Sequence, residues 1–376
     1  MVLGTEAKKD HQSRLPSSKL LSSINLKGMN SPNHLQRCSL CILSEAFPNI
    51  RFDEEGRCQY CVAHSKKEPA KTFRESLWEQ LEEIVRTTKN KHTGSYDCIV
   101  AFSGGKDSCY TLKLMVEEFG LKCLAILIDN GFVAPRAQVN ARKVTEALGV
   151  DYSVFVPAPA FVRNMFAVSA TGDGVHPPSA MKRASAMCNS CISLINAHML
   201  QQAAAHGVPM IAGGYISGQV PEGAVALTLD LRHHHRTRQP MIDNYVHHFG
   251  NDAMRYFNTP TKESKEDDGA SRILIVNPML AVHLSDDEII EAIRPMGWER
   301  PKGTGKNSSN CQLNDLGIAV HHKRHGFHPY AFEISEQIRA GLMTREEALT
   351  KVEDVPQFEK LKDRVQKLGL DTATIK

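Results

Sequence analysis

The 376-residue sequence has no run of eighteen or more apolar residues and almost no net charge, and each lack removes a class of answer. Without such a run no segment reads as a membrane span, and residues 1–30 lack the apolar stretch of a secretory signal, so the expected location is the cytoplasm. Lys and Arg number 45 against 42 for Asp and Glu, and a formal charge of +3 is too weak a field to point to nucleic acid by itself. No internal repeat is visible. The GxxxxGK[ST] spacing of a Walker A loop is also missing, so hydrolysis at a γ-phosphate is not what the sequence advertises.

The chain does have 41% hydrophobic residues, enough for one large core or two modest ones, and ten cysteines. In a reducing compartment those cysteines read as metal ligands or catalytic thiols rather than disulfides. Residues 1–34 are polar and aperiodic and are expected to form a flexible arm. Residues 35–66 form a compact Cys-bearing unit. Leu77, Leu81, Ile84 and Val85 predict a helix over 73–88.

Short apolar runs at 96–102, 123–128, 151–156, 208–212 and 273–276 read as strands, and 136–148, 191–205 and 286–293 as helices. Residues 338–352 read as a helical segment with an internal cap at Thr344, since Glu347 follows three residues on. Strands alternating with helices of this length predict an α/β fold, a parallel sheet flanked by helices. The main domain is expected over 70–290, with a helical C-terminal part, 291–376, carrying Cys311. Within the main domain, over 216–272, the histidines His233, His234 and His235 and the charged run 262–268 suggest helices and loops inserted beside the sheet. That basic, histidine-rich run reads either as a substrate contact or as a solvated face.

Ser103, Gly104, Gly105, Lys106, Asp107 and Ser108 lie between an apolar strand and a helix, where backbone N–H groups and the helix dipole converge. The glycines allow close approach of phosphate oxygens, Lys106 offsets their charge, and the two serines offer hydroxyl donors. SGGKDS in this setting resembles the PP-loop ATP pyrophosphatase family, whose fold is the adenine nucleotide α-hydrolase-like α/β sheet. The resemblance implies ATP held by its pyrophosphate end while a substrate oxygen attacks the α-phosphorus. It further implies Lys106 and Asp107 at the reacting phosphates, Asp107 helping to hold Mg2+, and Asp129 beside the nucleotide.

Two CxxC knuckles, Cys38/Cys41 and Cys58/Cys61, are separated by sixteen residues containing Pro48 and Gly56, which is a tetrathiolate Zn2+ signal. The frame RCSLCILSEAFPNIRFDEEGRCQYC resembles the ribbon of PP-loop N-acetyl sugar amidotransferases and of PP-loop thiolases. Cys188 and Cys191 open a helical stretch, and Cys311 appears far downstream in NSSNCQLN. Three such thiols can hold three irons of a [4Fe-4S] cluster and leave the fourth open; a second zinc site or a buried pair beside an unrelated Cys311 are the other readings.

The order of PP-loop, CxxC and lone cysteine resembles the cluster-dependent tRNA thiolases, with Ile192 where that family carries glycine. Cys109, one turn into the helix after the loop, is expected to have a lowered pKa and to carry sulfur as a catalytic thiol, or else to be a small packed residue. Cys98 and Cys123, inside apolar strands, read as core.

The expected reaction is adenylation of a carbonyl oxygen followed by its replacement with sulfur, supplied by a donor protein or sulfide. No added RNA-binding module is visible, so the acceptor reads as a small oxo-heterocycle rather than nucleic acid. The layout looks like the PP-loop sulfur transferase that forms 6-thioguanine from guanine. The alternatives are a tRNA thiolase and an amidotransferase acting on an N-acetyl sugar with ammonia from a partner glutaminase, no glutaminase-like domain being visible in the chain. A homodimer is compatible with all three.

Overall fold

The computed structural model describes residues 35–66, 70–258 and 272–375. The expected arm at 1–34 and the charged run 262–268 lie outside them. The described residues from Arg37 onward pack as one unit.

Six strands form one sheet in the order β3-β2-β1-β4-β6-β5: β1 (Cys98–Ala101), β2 (Cys123–Ile128), β3 (Asp151–Phe155), β4 (Met210–Ala212), β5 (Ala226–Asp230) and β6 (Arg272–Val276). β1 to β4 and β6 run parallel, with Cys98 opposite Cys123 and Ile99 opposite Ile211. β5 departs from the all-parallel expectation and pairs antiparallel with β6, Leu227 opposite Ile275. Only a 3-10 turn, Glu222–Val225, and no α-helix separates β4 from β5, so the chain turns at the carboxyl end of the sheet and runs back.

The helices are α1 (Gln59–His64), α2 (Ala70–Asn90), α3 (Lys106–Lys113), α4 (Pro135–Leu148), α5 (Pro159–Thr171), α6 (Pro178–Met181), α7 (Ala186–His206), α8 (Leu231–Phe249), α9 (Ala253–Phe257), α10 (Asp286–Ile293), α11 (Asn314–His325), α12 (Ala331–Arg339), α13 (Arg345–Glu353), α14 (Lys362–Lys367) and α15 (Thr372–Ile375). They cover both faces of the sheet. Alternation along β1 sends Ile99 into a core with α5 and α7, where Met165, Phe166 and Leu194 are buried. Cys98 and Val100 go into the opposite core with α2 and α3, among Leu81, Leu112 and Met115.

The expected C-terminal segment at 338–352 is two helices, α12 and α13, parted at Gly341 (φ 72°). Thr344 accepts the Glu347 backbone N–H, and the Glu347 carboxylate accepts back from Thr344, as the cap signal predicted.

From β1 the chain steps outward to β2 and β3 on one side, and β4 and β6 lie on the other. The strand order therefore reverses between β1 and β4, and a crevice opens outside their carboxyl ends. The glycine loop at 103–108 follows β1 into that crevice. Among the described residues no helix is long and apolar enough to cross a membrane.

Candidate functional site

Gly104 has φ 72°, and a side-chain carbon there would lie 2.0 Å from the Ala137 carbonyl oxygen of α4. The loop is thus pressed onto α4 at a point only glycine can occupy. The Ser103 and Ser108 hydroxyls are 3.1 Å apart, Ser108 Oγ accepts the Ser103 N–H at 3.2 Å, and Ser103 Oγ accepts the Gly105 N–H. Trp298 Nε1–H donates to the Gly104 carbonyl at 3.1 Å, fixing the turn from its other side. Two further segments complete the crevice. Gly214, just past β4, approaches the backbone of Asp107 and Ser108 so closely that a side-chain carbon would meet it at 3.1–3.3 Å. Ser309, from the distant NSSNCQLN segment, accepts the Lys106 N–H on its Oγ at 3.0 Å.

Lys106 Nζ lies 2.6 Å from Asp107 Oδ1 and 2.8 Å from Asp286 Oδ1. Burial alone would lower its pKa, but the two carboxylates outweigh that and raise it, so the ammonium is held charged. Asp286 is likewise kept ionised by Lys106 in spite of burial. An incoming polyphosphate would compete with these carboxylates for Lys106. Asp129 directly follows β2; its carboxylate accepts the Gly131 N–H at 2.9 Å and Gln138 Nε2–H at 3.1 Å.

Cys109 corrects an expectation. It is fully buried in the core beneath the loop, and burial, reinforced by Asp107, pushes its thiol well above the ordinary value. On α3 it points with Leu112 toward the sheet, so position near a helix N-terminus does not make it an accessible thiolate.

Cys188, Cys191 and Cys311 are neighbours. Cys188 sits in the first turn of α7, capped by Ser185, and its Sγ is 3.7 Å from the Tyr330 hydroxyl. Cys191 Sγ accepts Asn130 Nδ2–H at 3.2 Å. Cys311 reaches them because its segment is zipped to residues 132–134: Ala134 N–H donates to Asn310 O at 2.8 Å and Gln312 N–H to Phe132 O at 2.9 Å. Burial raises all three thiols, Cys191 to about 11, and the charges of Cys191 and Cys188 raise Cys311 further. Asn314, whose Oδ1 accepts the Tyr330 O–H at 2.5 Å, leaves its buried Nδ2 donor without a partner beside this group.

The ribbon cysteines differ in spacing. A tetrahedral ion bound at about 2.3 Å by four thiolates needs sulfurs about 3.8 Å apart. Cys38 and Cys61 are 3.8 Å apart and Cys41 and Cys58 3.7 Å, and among the described residues only these four bring their ligand atoms all within 4.8 Å. Backbone N–H groups of Leu40, Cys41 and Cys58 point at Cys38 Sγ. Cys58 and Cys61 hydrogen bonds hold Cys41 well below the ordinary thiol range. The donor set fits Zn2+. The three thiols on α7 and at Cys311 are spread wider than one such ion accepts.

Sequence reasoning passed over Ser309, Asn130, Asn314, Trp298 and Glu333, whose partners are far away in the chain. The histidines it flagged, His233 to His235, join no ligand set among the described residues, and burial pushes His234 down to about 4; burial likewise pushes the more distant His321 and His328 down to about 3.

No family model matches the chain. It is 25% identical over 335 residues to an uncharacterized protein of Methanocaldococcus jannaschii, a span of 89% of this chain and 99% of the other. Over 114 residues it is 32% identical to the NH3-dependent NAD+ synthetase of Halobacterium salinarum, covering 30% of this chain and 42% of that one. Among solved structures it is similar to U34-tRNA thiolase NcsA of Methanococcus maripaludis with its [4Fe-4S] cluster, over 82% of this chain and 86% of that one, at 14% identity and a TM-score of 0.33. NMN synthetase of Francisella tularensis aligns over 81% of this chain and 98% of its own, at 12% identity and a TM-score of 0.36.

Proposed function

We propose that this chain is a PP-loop-type ATP pyrophosphatase that adenylates the carbonyl oxygen of a small heterocycle and replaces it with sulfur, releasing AMP and pyrophosphate. The observation that carries the reading is the coincidence, at one switch-point crevice, of a glycine-tight anion loop and of NSSNCQLN, which ties Ser309 to that loop and Cys311 to the thiols. Ser103, Gly104, Gly105, Lys106 and Ser108 hold the phosphates, Mg2+ is shared with Asp107, and Asp129 flanks the nucleotide. Preorganised N–H donors and the Lys106 charge stabilise the pentavalent α-phosphorus and the leaving pyrophosphate.

Cys188, Cys191 and Cys311 would hold a [4Fe-4S] cluster, and Cys38, Cys41, Cys58 and Cys61 a Zn2+ ion. The wide thiol spacing, the Asn130 bond to Cys191 and the orphaned Asn314 donor suit an inorganic core that accepts N–H···S bonds. When bound, the cluster supplies an open iron to present sulfide. The chain's part is to keep the thiols dry and oriented, and to place the adenylated carbon near them. Guanine, whose lactam oxygen would be the adenylated atom, is the first acceptor to try.

Anaerobically purified protein, analysed for iron and labile sulfide and incubated with ATP, Mg2+, sulfide and a panel of oxo-purines, is expected to yield a product with sulfur in place of one oxygen, with AMP and pyrophosphate in equal amount. The 32% identity with an NH3-dependent synthetase over 114 residues favours nitrogen as the second reading. A colourless protein containing zinc alone and fully active with ammonia would establish that reading instead.

The buried position of Cys109 makes a further prediction. Cys188→Ser and Cys311→Ser are each expected to lower sulfur incorporation by about 100-fold or more, whereas Cys109→Ala stays within about threefold, since a protonated buried thiol is a poor nucleophile. Counting sulfur transferred per AMP released distinguishes the outcomes. Full loss on Cys109→Ala in a protein of unchanged melting temperature would return the sulfur to that residue.

A further inference from the structure

Glu333 lies in the first turn of α12 and belongs to no motif identified in the sequence. Its Oε2 accepts Gln219 Nε2–H at 3.0 Å, and its Cα is packed against Gly218, where a side-chain carbon would come within 2.5 Å. Gly218 O is held in turn by Arg183 Nη1–H at 2.6 Å. The loop after β4 thus locks Glu333 in place. On one side its carboxyl is under the charges of Asp107 and Lys106 on α3 and Asp286 on α10. On the other, its own charge acts on Cys188 of α7 and on the Tyr330 hydroxyl. On α12 Glu333 lies between Tyr330, whose hydroxyl is 3.7 Å from Cys188 Sγ, and Gln337, which lines a cleft with Asp107 and Asp286, so this helix runs from the thiols to the anion loop.

Building on the adenylation reading above, we propose that Glu333 is the base that takes the proton released when the acceptor is adenylated. The acceptor's carbonyl oxygen bonds to the α-phosphorus using the C=O π pair, and the bond from that phosphorus to the bridging oxygen breaks, so pyrophosphate leaves with its electrons. The adjacent N–H bond breaks, its pair forms the C=N bond of the adenylated imidate, and the proton passes to the Glu333 carboxylate. Burial, against the opposing bond from Gln219, lifts this carboxyl to about 7, which matches the group to proton exchange near neutrality.

Pyrophosphate release from ATP and Mg2+ by the full chain is measured from about pH 5 to pH 9, with guanine and with water alone as acceptors. Wild-type turnover is expected to rise with pH through neutrality as Glu333 loses its proton. Glu333→Gln should lose about 10²–10⁴ in kcat and the acidic limb of the profile, with KM for ATP within about threefold, and Glu333→Asp should recover part of the rate. Zinc content and circular dichroism of the variants report that the fold is intact. A Glu333→Gln protein that turns over like wild type, or keeps the same acidic limb, overturns this proposal alone. A wild-type protein that releases no pyrophosphate with either acceptor overturns the adenylation reading, and this assignment with it.

Discussion

Gly104→Ala is expected to abolish pyrophosphate release from ATP. With φ at 72°, any L-residue at this position is strained by about 1–2 kcal/mol. The added carbon would also sit 2.0 Å from the Ala137 carbonyl, which is backbone of α4 and cannot swing aside as a side chain would. Relief therefore means lifting the loop off α4, which breaks the Trp298 bond to the Gly104 carbonyl and displaces the Gly105 and Lys106 N–H groups from Ser103 and Ser309. Losing one preorganised donor to a reacting anion costs about 10²–10³ in rate, and here several move together. Gly149→Ala is the matched control: its φ is 64° but nothing lies within 4 Å of the added carbon, so it carries the backbone strain without the collision. Pyrophosphate assays and melting curves should show both variants destabilised and only Gly104→Ala silent. Full activity in Gly104→Ala would mean that the loop does not hold the nucleotide.

What the sequence discloses of this molecule is what local periodicity and close spacing encode. Residues 98–113 alternate once and then repeat at helical intervals, so β1, the loop and α3 stand where the pattern put them. The two knuckles of the ribbon are each four residues long and announce a tetrahedron without any knowledge of the fold. β5 is different: ALTLD looks like any short apolar run, and its reversed direction follows from the missing crossover helix before it, not from its own residues. Of the two readings of Cys109 the packed one agrees with the structure: a helix N-terminus is not by itself an exposed, electropositive place, and the side chain points with Leu112 at the sheet. Ser309 and Glu333 owe their roles to approach across the fold, 203 residues from Lys106 in one case and 114 from Gln219 in the other, and no local pattern marks such pairs.

Removal of the Zn2+ proposed for the ribbon, by a chelator or through Cys41→Ser, is expected to silence ATP turnover as well, although the four cysteines lie at a different place from the loop. The link is α12. Phe332 stacks on Phe47 at 5.8 Å and meets Tyr60 edge-on at 5.0 Å, while Arg339, paired with Glu336 at 2.8 Å, points Nη1–H at Cys61 Sγ. From α13, Arg345 donates to the Cys41 and Cys38 carbonyls. The helix that carries Glu333 and Gln337 to the cleft is thus docked on the ribbon by its other residues. The ribbon core beneath it is small: beyond the four cysteines, its large fully buried side chains are Leu43, Phe47 and Ile42, the last packed with Ile334 of α12. A tetrathiolate site supplies about 10–16 kcal/mol of folding energy in isolated ribbons, more than such a core replaces. Without the ion the ribbon loosens, α12 loses its platform, Glu333 leaves Gln219, and Gln337 leaves the cleft it lines with Asp107 and Asp286. The expected result is one zinc per chain in active protein, a fall of about 100-fold or more in pyrophosphate release on stripping, and recovery when Zn2+ is restored. Hydrogen exchange should show α12 deprotected while β1 and β2 stay protected, because the sheet core does not depend on the ribbon. A stripped protein that keeps full turnover would show that α12 holds its position without the metal.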